Sequence, residues 1–127
     1  MSTRPIVIMA GGTGGHIFPA LAVAHELKKR NVPVIWLGSE GGMETRIVPN
    51  YGIPIETLAI KGVRGKGLLT LLFAPVKIIK AVIEALRLLR SYRPQSVLGM
   101  GGFASGPGGL AAALLRIPLY IHEQNSI

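Results

Sequence analysis

Pro5-Ile6-Val7-Ile8-Met9-Ala10-Gly11-Gly12-Thr13-Gly14-Gly15-His16 decides how this chain is read. Residues 5–10 form an apolar run without alternation, the pattern of a strand covered on both faces. Phe18 to Arg30 reads as a helix, with Pro19 in its first turn and Lys28, Lys29 and Arg30 in its last. A glycine turn between a buried strand and a helix leaves N–H groups at the helix start, where the dipole favours an anion.

Working outward, strands are predicted at Val34–Gly38, Ile53–Ile60, Ser96–Met100 and Ile117–Ile121. Glu56 and Thr57 mark the second of these as an edge strand. Short helices are predicted over Met43–Val48 and Leu110–Leu115. A long hydrophobic segment, Leu68–Tyr92, should be kinked or split at Pro75. Within it Lys77, Lys80, Glu84 and Arg87 fall on one solvated stripe.

Strand and helix alternate throughout. This predicts a doubly wound α/β fold with a parallel sheet, of order 3-2-1-4-5 by analogy with Rossmann half-sheets, the ligand lying beyond the carboxyl ends of the strands. A second glycine-rich loop, residues 99–109, follows the fourth strand. Its glycine content exceeds what a turn needs, which predicts close approach of a ligand. The two loops should face one crevice.

The chain has 127 residues and a net charge of +8, with six glutamates and no aspartate. An anionic partner is expected: a phosphorylated substrate or an anionic membrane. The basic residues are scattered and the aromatic ones few, which argues against nucleic acid. The sequence contains no cysteine, which excludes disulfides and thiolate metal sites. The histidines show no helical zinc spacing, so no metal is expected. No signal sequence or spanning helix is legible, and a cytosolic protein able to touch a membrane is expected.

The first loop is neither a dinucleotide fingerprint nor a Walker loop. With Gly12 and Gly14 as the first two glycines, Ile17 stands where the third belongs, and Glu40 is the only acid near the tip of the second strand. His16 is the candidate general base, since a neutral imidazole can accept a proton from a hydroxyl. His122, Glu123 and Asn125 follow directly on the last strand and suit sugar or phosphate oxygens. The segment after Gly67 is either a core helix or an exposed apolar patch rimmed by lysines.

Four stretches carry a resemblance. Residues 11–16 with Phe18-Pro19-Ala20-Leu21-Ala22 resemble the first glycine loop of the MurG family, bacterial undecaprenyl-diphospho-muramoylpentapeptide β-N-acetylglucosaminyltransferases. Gly99-Met100-Gly101-Gly102-Phe103 with Ser105-Gly106-Pro107 resembles the second loop. Arg64-Gly65-Lys66-Gly67 resembles the basic loop, and His122-Glu123-Gln124-Asn125 the next motif.

The resemblance implies the Rossmann-like N-terminal half of a GT-B glycosyltransferase. It implies transfer of N-acetylglucosamine from UDP-GlcNAc to the undecaprenyl-diphosphate-linked acceptor lipid I, with inversion, giving lipid II for peptidoglycan, and hence a part in cell shape and division. It implies His16 as base, Thr13, Gly14, Gly15 and Asn125 on the donor, and Gly101, Gly102, Phe103, Ser105, Gly106, His122 and Glu123 on the acceptor and its diphosphate. Many members carry tyrosine where this chain has Phe103. It implies no tightly held metal or other cofactor, and a membrane patch of Leu69, Leu72, Phe73, Val76, Ile79, Lys77 and Lys80 on the cytoplasmic face of the inner membrane. Family members are about three times this long. Residues 1–127 are therefore expected to be one acceptor-side domain, inactive without the donor domain. The competing expectations are a stand-alone nucleotide- or phosphate-binding module without catalysis, and a nicotinamide-dependent oxidoreductase domain.

Overall fold

The computed structural model describes residues 4–59, 68–102 and 104–122, with backbone only for 68–74. Five parallel strands form one sheet: β1 (Ile6–Met9), β2 (Val34–Ser39), β3 (Ile55–Leu58), β4 (Ser96–Gly99) and β5 (Leu119–Ile121). Their order is β3-β2-β1-β4-β5, as predicted. Crossovers run through α1 (Gly14–Lys29), α2 (Glu44–Ile47) with a 3-10 turn at Val48–Tyr51, α3 (Leu68–Tyr92) and α4 (Ser105–Leu114).

The unbroken apolar character of β1 is explained by two cores. Val7 and Met9 point to one face, into a cluster with Leu37, Leu58 and Val97, Ala81, Ala85 and Leu89 of α3, and Ala111 and Ala112 of α4. Ile8 and Ala10 point to the other, against Trp36, Val48 and Ile17, Ala20, Leu21 and Ala24 of α1. The alanines let the helix axes come close to the sheet. Trp36 is fully buried and its indole N–H donates to the Ala10 carbonyl at 2.8 Å, fastening β2 to the carboxyl end of β1. At the β3 edge the Tyr92 hydroxyl donates to the Glu56 carboxylate, which holds the phenol above its ordinary titration range.

The helices depart from their expected bounds in an instructive way. α1 begins at Gly14, four residues earlier than expected, so Pro19 is its sixth residue and not a first-turn one. The missing proline N–H forfeits a bond to the Gly15 carbonyl, and Gly15 is exposed enough for water to take its place. α4 begins at Ser105, not Leu110, so Pro107 is its third residue, where no N–H is needed. α3 is one helix running through Pro75 and is not split. β3 and β5 are shorter than expected, and Ile60 and the basic loop lie outside the described residues.

The early start of α4 also corrects the reading of its glycines. Gly108 is buried under the sheet, where a Cβ would fall 2.3 Å from the Met9 sulfur and 3.2 Å from a Leu37 methyl. This glycine serves helix-on-sheet packing and not a ligand. Gly106 meets nothing within 4 Å. Gly108→Ala should therefore cost about 1–3 kcal/mol, because Met9 is fully enclosed and its sulfur must repack. Gly106→Ala should leave stability within about 0.5 kcal/mol or raise it slightly. Urea midpoints of the two variants check the contrast.

Candidate functional site

The parallel sheet brings the carboxyl ends of β1, β4 and β5 side by side, so the turns that follow them are neighbours. They are in direct contact. The Gly11 N–H donates to the Gly101 carbonyl at 3.1 Å and the Met100 N–H to the Met9 carbonyl at 2.8 Å. Gly102 lies so close that a Cβ would fall 2.8 Å from the Gly11 amide nitrogen and carbonyl oxygen. Gly101 and Gly102 adopt φ of 109° and 103°, a region that favours glycine. Gly102 lets one main chain rest on another, and Gly101 lets the His16 ring rest on the second turn.

A cleft of about 320 Å³ opens between the turns. His16, Gly101, Gly102, Ser105 and His122 line it, over a floor of Met9, Gly99 and Leu119. His16 is the third residue of α1 and half buried. Its Nδ1 lies 3.1 Å from the Gly11 carbonyl oxygen. A carbonyl only accepts, so Nδ1 carries the proton in this contact and the Nε2 lone pair is left open. The Nε2 edge rests on Gly101, where a Cβ would fall 2.7 Å from it. His122 is exposed at the end of β5, and its N–H donates to the Gly99 carbonyl at 2.9 Å.

The other expected site residues divide into three groups. Thr13, Gly14 and Gly15 stand at the start of α1 and are not among the residues that line the cleft, and the Thr13 hydroxyl makes no capping bond. Ser105 lines the cleft, but its hydroxyl lies 3.0 Å from the Gly101 carbonyl and its N–H donates to Gly102, so it holds the second turn closed. Gly106 is exposed in the first turn of α4. Phe103, Glu123 and Asn125 lie outside the described residues, as do the side chains of Leu69, Leu72 and Phe73. Val76 and Ile79 are each 61% exposed, and Lys77 and Lys80 flank them in solvent. At these positions α3 is a surface and not a core helix.

The backbone donors of the first turn are unevenly engaged. In the first turn, Gly11 donates to Gly101 and Gly12 to a carboxylate, so neither is open to an anion. Among the described residues, the N–H groups of Gly14 and Gly15, in the first turn of α1, find no acceptor.

The carboxylate is that of Glu44, which the sequence reading overlooked. It is 1% exposed, and its oxygens accept the N–H of Ser39 at 2.7 Å and of Gly12 at 3.2 Å. A Cβ at Gly11, Gly38 or Gly42 would fall within 2.3–2.6 Å of the Glu44 side chain, so three glycines from separate segments wall its site. Glu40, which directly follows β2, is exposed, whereas Glu44 is buried against protein amides. The sequence signal was present as an acid just after Gly41-Gly42, but no linear pattern says that it folds back under the first turn.

Known proteins share this arrangement. Over 122 residues, 96% of the chain, it is 59% identical to the UDP-N-acetylglucosamine–N-acetylmuramyl-(pentapeptide) pyrophosphoryl-undecaprenol N-acetylglucosamine transferase of Xylella fastidiosa. It is 62% identical, over the same share, to the enzyme of that name from Xanthomonas axonopodis. The chain spans 33% and 29% of those two relatives. The crystal structure of Acinetobacter baumannii MurG superposes with a TM-score of 0.84 at 46% identity, over 97% of this chain and 36% of that one. The glycosyltransferase family 28 N-terminal domain matches residues 6–127, and the chain belongs to that family.

Proposed function

We propose that this domain is the acceptor side of an inverting glycosyltransferase that moves N-acetylglucosamine from UDP-GlcNAc to the muramoyl sugar of lipid I, forming lipid II. The observation that carries the reading is the His16 imidazole, bonded through Nδ1 to the Gly11 carbonyl with Nε2 open to the cleft between the two turns. Close relatives that bear this activity in their names add support.

In the proposed reaction the C4 hydroxyl of the acceptor sugar attacks the anomeric carbon of the donor. Its proton passes to His16 Nε2 as the bond to UDP breaks, and UDP leaves with the electron pair. The N–H groups of Gly14 and Gly15 at the start of α1 meet donor oxygens, with the Thr13 hydroxyl and Asn125 beside them. Gly101, Gly102, Phe103 and Gly106 shape the seat of the acceptor diphosphate, which Ser105 keeps folded. His122 and Glu123 line the acceptor side. The diphosphate charge is met by amides and helix dipoles, with no resident metal or other cofactor, and nucleic acid is not a partner.

The domain works at the cytoplasmic face of the inner membrane, in the wall synthesis on which cell shape and division depend. Val76 and Ile79 insert among acyl chains and Lys77 and Lys80 contact anionic headgroups, with Leu69, Leu72 and Phe73 on the same segment. Residues 1–127 supply one wall of the donor cleft, and the rest belongs to a second domain of the GT-B pair.

Three outcomes follow. In a protein of the relatives' full length, His16→Ala should lower kcat by roughly 10²–10⁴ with KM for UDP-GlcNAc little changed. An unaltered kcat would mean a binding module, or a base elsewhere. The 127-residue chain alone should transfer no sugar, and measurable lipid II from it would refute the one-wall reading. Vesicles rich in anionic lipid should sediment the chain at low salt. Replacing Lys77 and Lys80 with alanine should weaken that binding about 30-fold, from about 1 kcal/mol per lysine. Equal sedimentation of the two proteins would sink the membrane face.

A further inference from the structure

Glu44 plays no part in the chemistry described above, yet the chain gives it a cradle. It is buried to 1% exposure at the start of α2, and Gly11, Gly38 and Gly42 all lack the side chain that would fill its space. Among the described residues no cation lies within ion-pair distance of it, and its partners are two backbone amides. Ser39 supplies the shorter bond, at 2.7 Å, which ties the carboxylate to the end of β2. The longer bond, at 3.2 Å, comes from Gly12.

The Gly12 N–H belongs to the same peptide unit as the Gly11 carbonyl. A trans peptide is planar, so its N–H and C=O point in opposite directions from one rigid plate. On one side of this plate the N–H meets Glu44 Oε1. On the other the C=O meets His16 Nδ1. Whatever fixes the direction of the N–H fixes the acceptor that His16 sees. The carboxylate also polarises the amide, which makes the Gly11 oxygen a stronger acceptor.

Both residues of the plate are glycines, and Gly12 sits at φ 86°. Without an anchor, such a peptide turns over readily. Turned over, it would offer His16 an N–H in place of an oxygen. Nδ1 would then have to be the bare nitrogen, and the proton would move to Nε2, closing the lone pair that faces the cleft. We propose that Glu44 is a positioning residue for His16. Acting through the Gly11–Gly12 peptide, it holds the imidazole in the tautomer whose Nε2 can accept a proton. The role in turnover rests on the reading of His16 as base; the role in setting the tautomer does not.

The test reads the tautomer directly, by long-range ¹H–¹⁵N spectra of the imidazoles in the 127-residue chain. The His16 signals are assigned by their loss in His16→Ala, and His25 and His122 serve as internal references. The wild-type chain should show His16 protonated at Nδ1. Glu44→Gln can accept from only one of the two amides, because its NH₂ faces the other N–H. It should shift His16 toward the Nε2-protonated form. If Glu44→Gln does not fold, Gly42→Ala asks the same question, since its methyl would fall 2.4 Å from Oε1 and push that oxygen off Gly12. Leu89→Ala, a cavity in the core on the opposite face, should lower stability while leaving the His16 signals in place. A folded Glu44→Gln or Gly42→Ala chain with wild-type His16 signals overturns the proposal.

In the transferase assay on the full-length form, Glu44→Gln should lower kcat by about 10–100-fold, as for a misplaced reacting group, with KM for UDP-GlcNAc within about threefold. The two readings fail separately. If His16→Ala keeps its kcat while Glu44→Gln moves the tautomer, the base assignment falls and the positioning stands. If His16→Ala loses turnover while Glu44→Gln keeps both tautomer and kcat, the positioning falls alone.

Discussion

The site exists because two main chains touch. Gly102 rests against the backbone of Gly11, and the Gly11 N–H reaches the Gly101 carbonyl across the same contact. Side chains can rotate away from a clash, whereas peptide units fixed by a sheet on one side and a helix on the other cannot. The turns after β1 and β4 are therefore locked to each other as firmly as the strands that carry them. His16 inherits that rigidity twice, through its bond to the Gly11 carbonyl and through the packing of its ring on Gly101. A functional group placed in this way loses little entropy on meeting a substrate.

Glu44 shows how a small α/β domain can keep a carboxylate inside on backbone amides, with no cation within ion-pair distance among the described residues. Removing one partner of a buried ion pair strands a charge, whereas amides held by the fold are permanent donors that need no side chain to be ordered. The arrangement has an electrostatic consequence for the cleft. A negative group behind the first turn opposes the α1 dipole at Gly12. Among the described residues, the N–H groups of this turn left without an acceptor stand further along, at Gly14 and Gly15. In the proposed reaction these meet donor oxygens, and the space next to His16 is left for the acceptor hydroxyl.

Most of the fold was legible from periodicity. The non-alternating β1 and the strand–helix alternation specify a covered parallel sheet, and the order β3-β2-β1-β4-β5 was expected by analogy with Rossmann half-sheets. The helix starts were not legible, because glycine and proline are local signals of a break. Here Gly14, Gly15, Gly106, Gly108 and Gly109 are all helical residues, and among those of α4 it is Gly108 that is tightly packed while Gly106 meets nothing within 4 Å. Gly108 under Met9 is a tertiary requirement that carries no mark in the linear sequence. His16 was found because it follows a motif. Glu44 was missed because its partners lie 5 and 32 residues away and are backbone atoms, which have no residue identity to search for.

The net charge of +8 is distributed by the same logic. Among the described residues, four of the five acids are engaged in bonds of their own, Glu40 being the exception. Glu44 is buried on amides, Glu56 accepts the Tyr92 hydroxyl, Glu84 accepts the Ala59 N–H, and Glu26 serves Lys29 and Arg30 on α1. The outer stripe of α3, with Lys77, Lys80 and Arg87 in solvent, faces no carboxylate within ion-pair distance. Exposed charges interact over about 8–10 Å at physiological salt, so a stripe of this kind acts on an extended anionic surface more than on a single small ion. The exposed Val76, Ile79 and Ile83 on the same helix supply short-range apolar contact once that surface is reached. Charge and apolar area thus lie together on one helix, the first acting over distance and the second at contact, which is the combination that the proposed membrane contact requires.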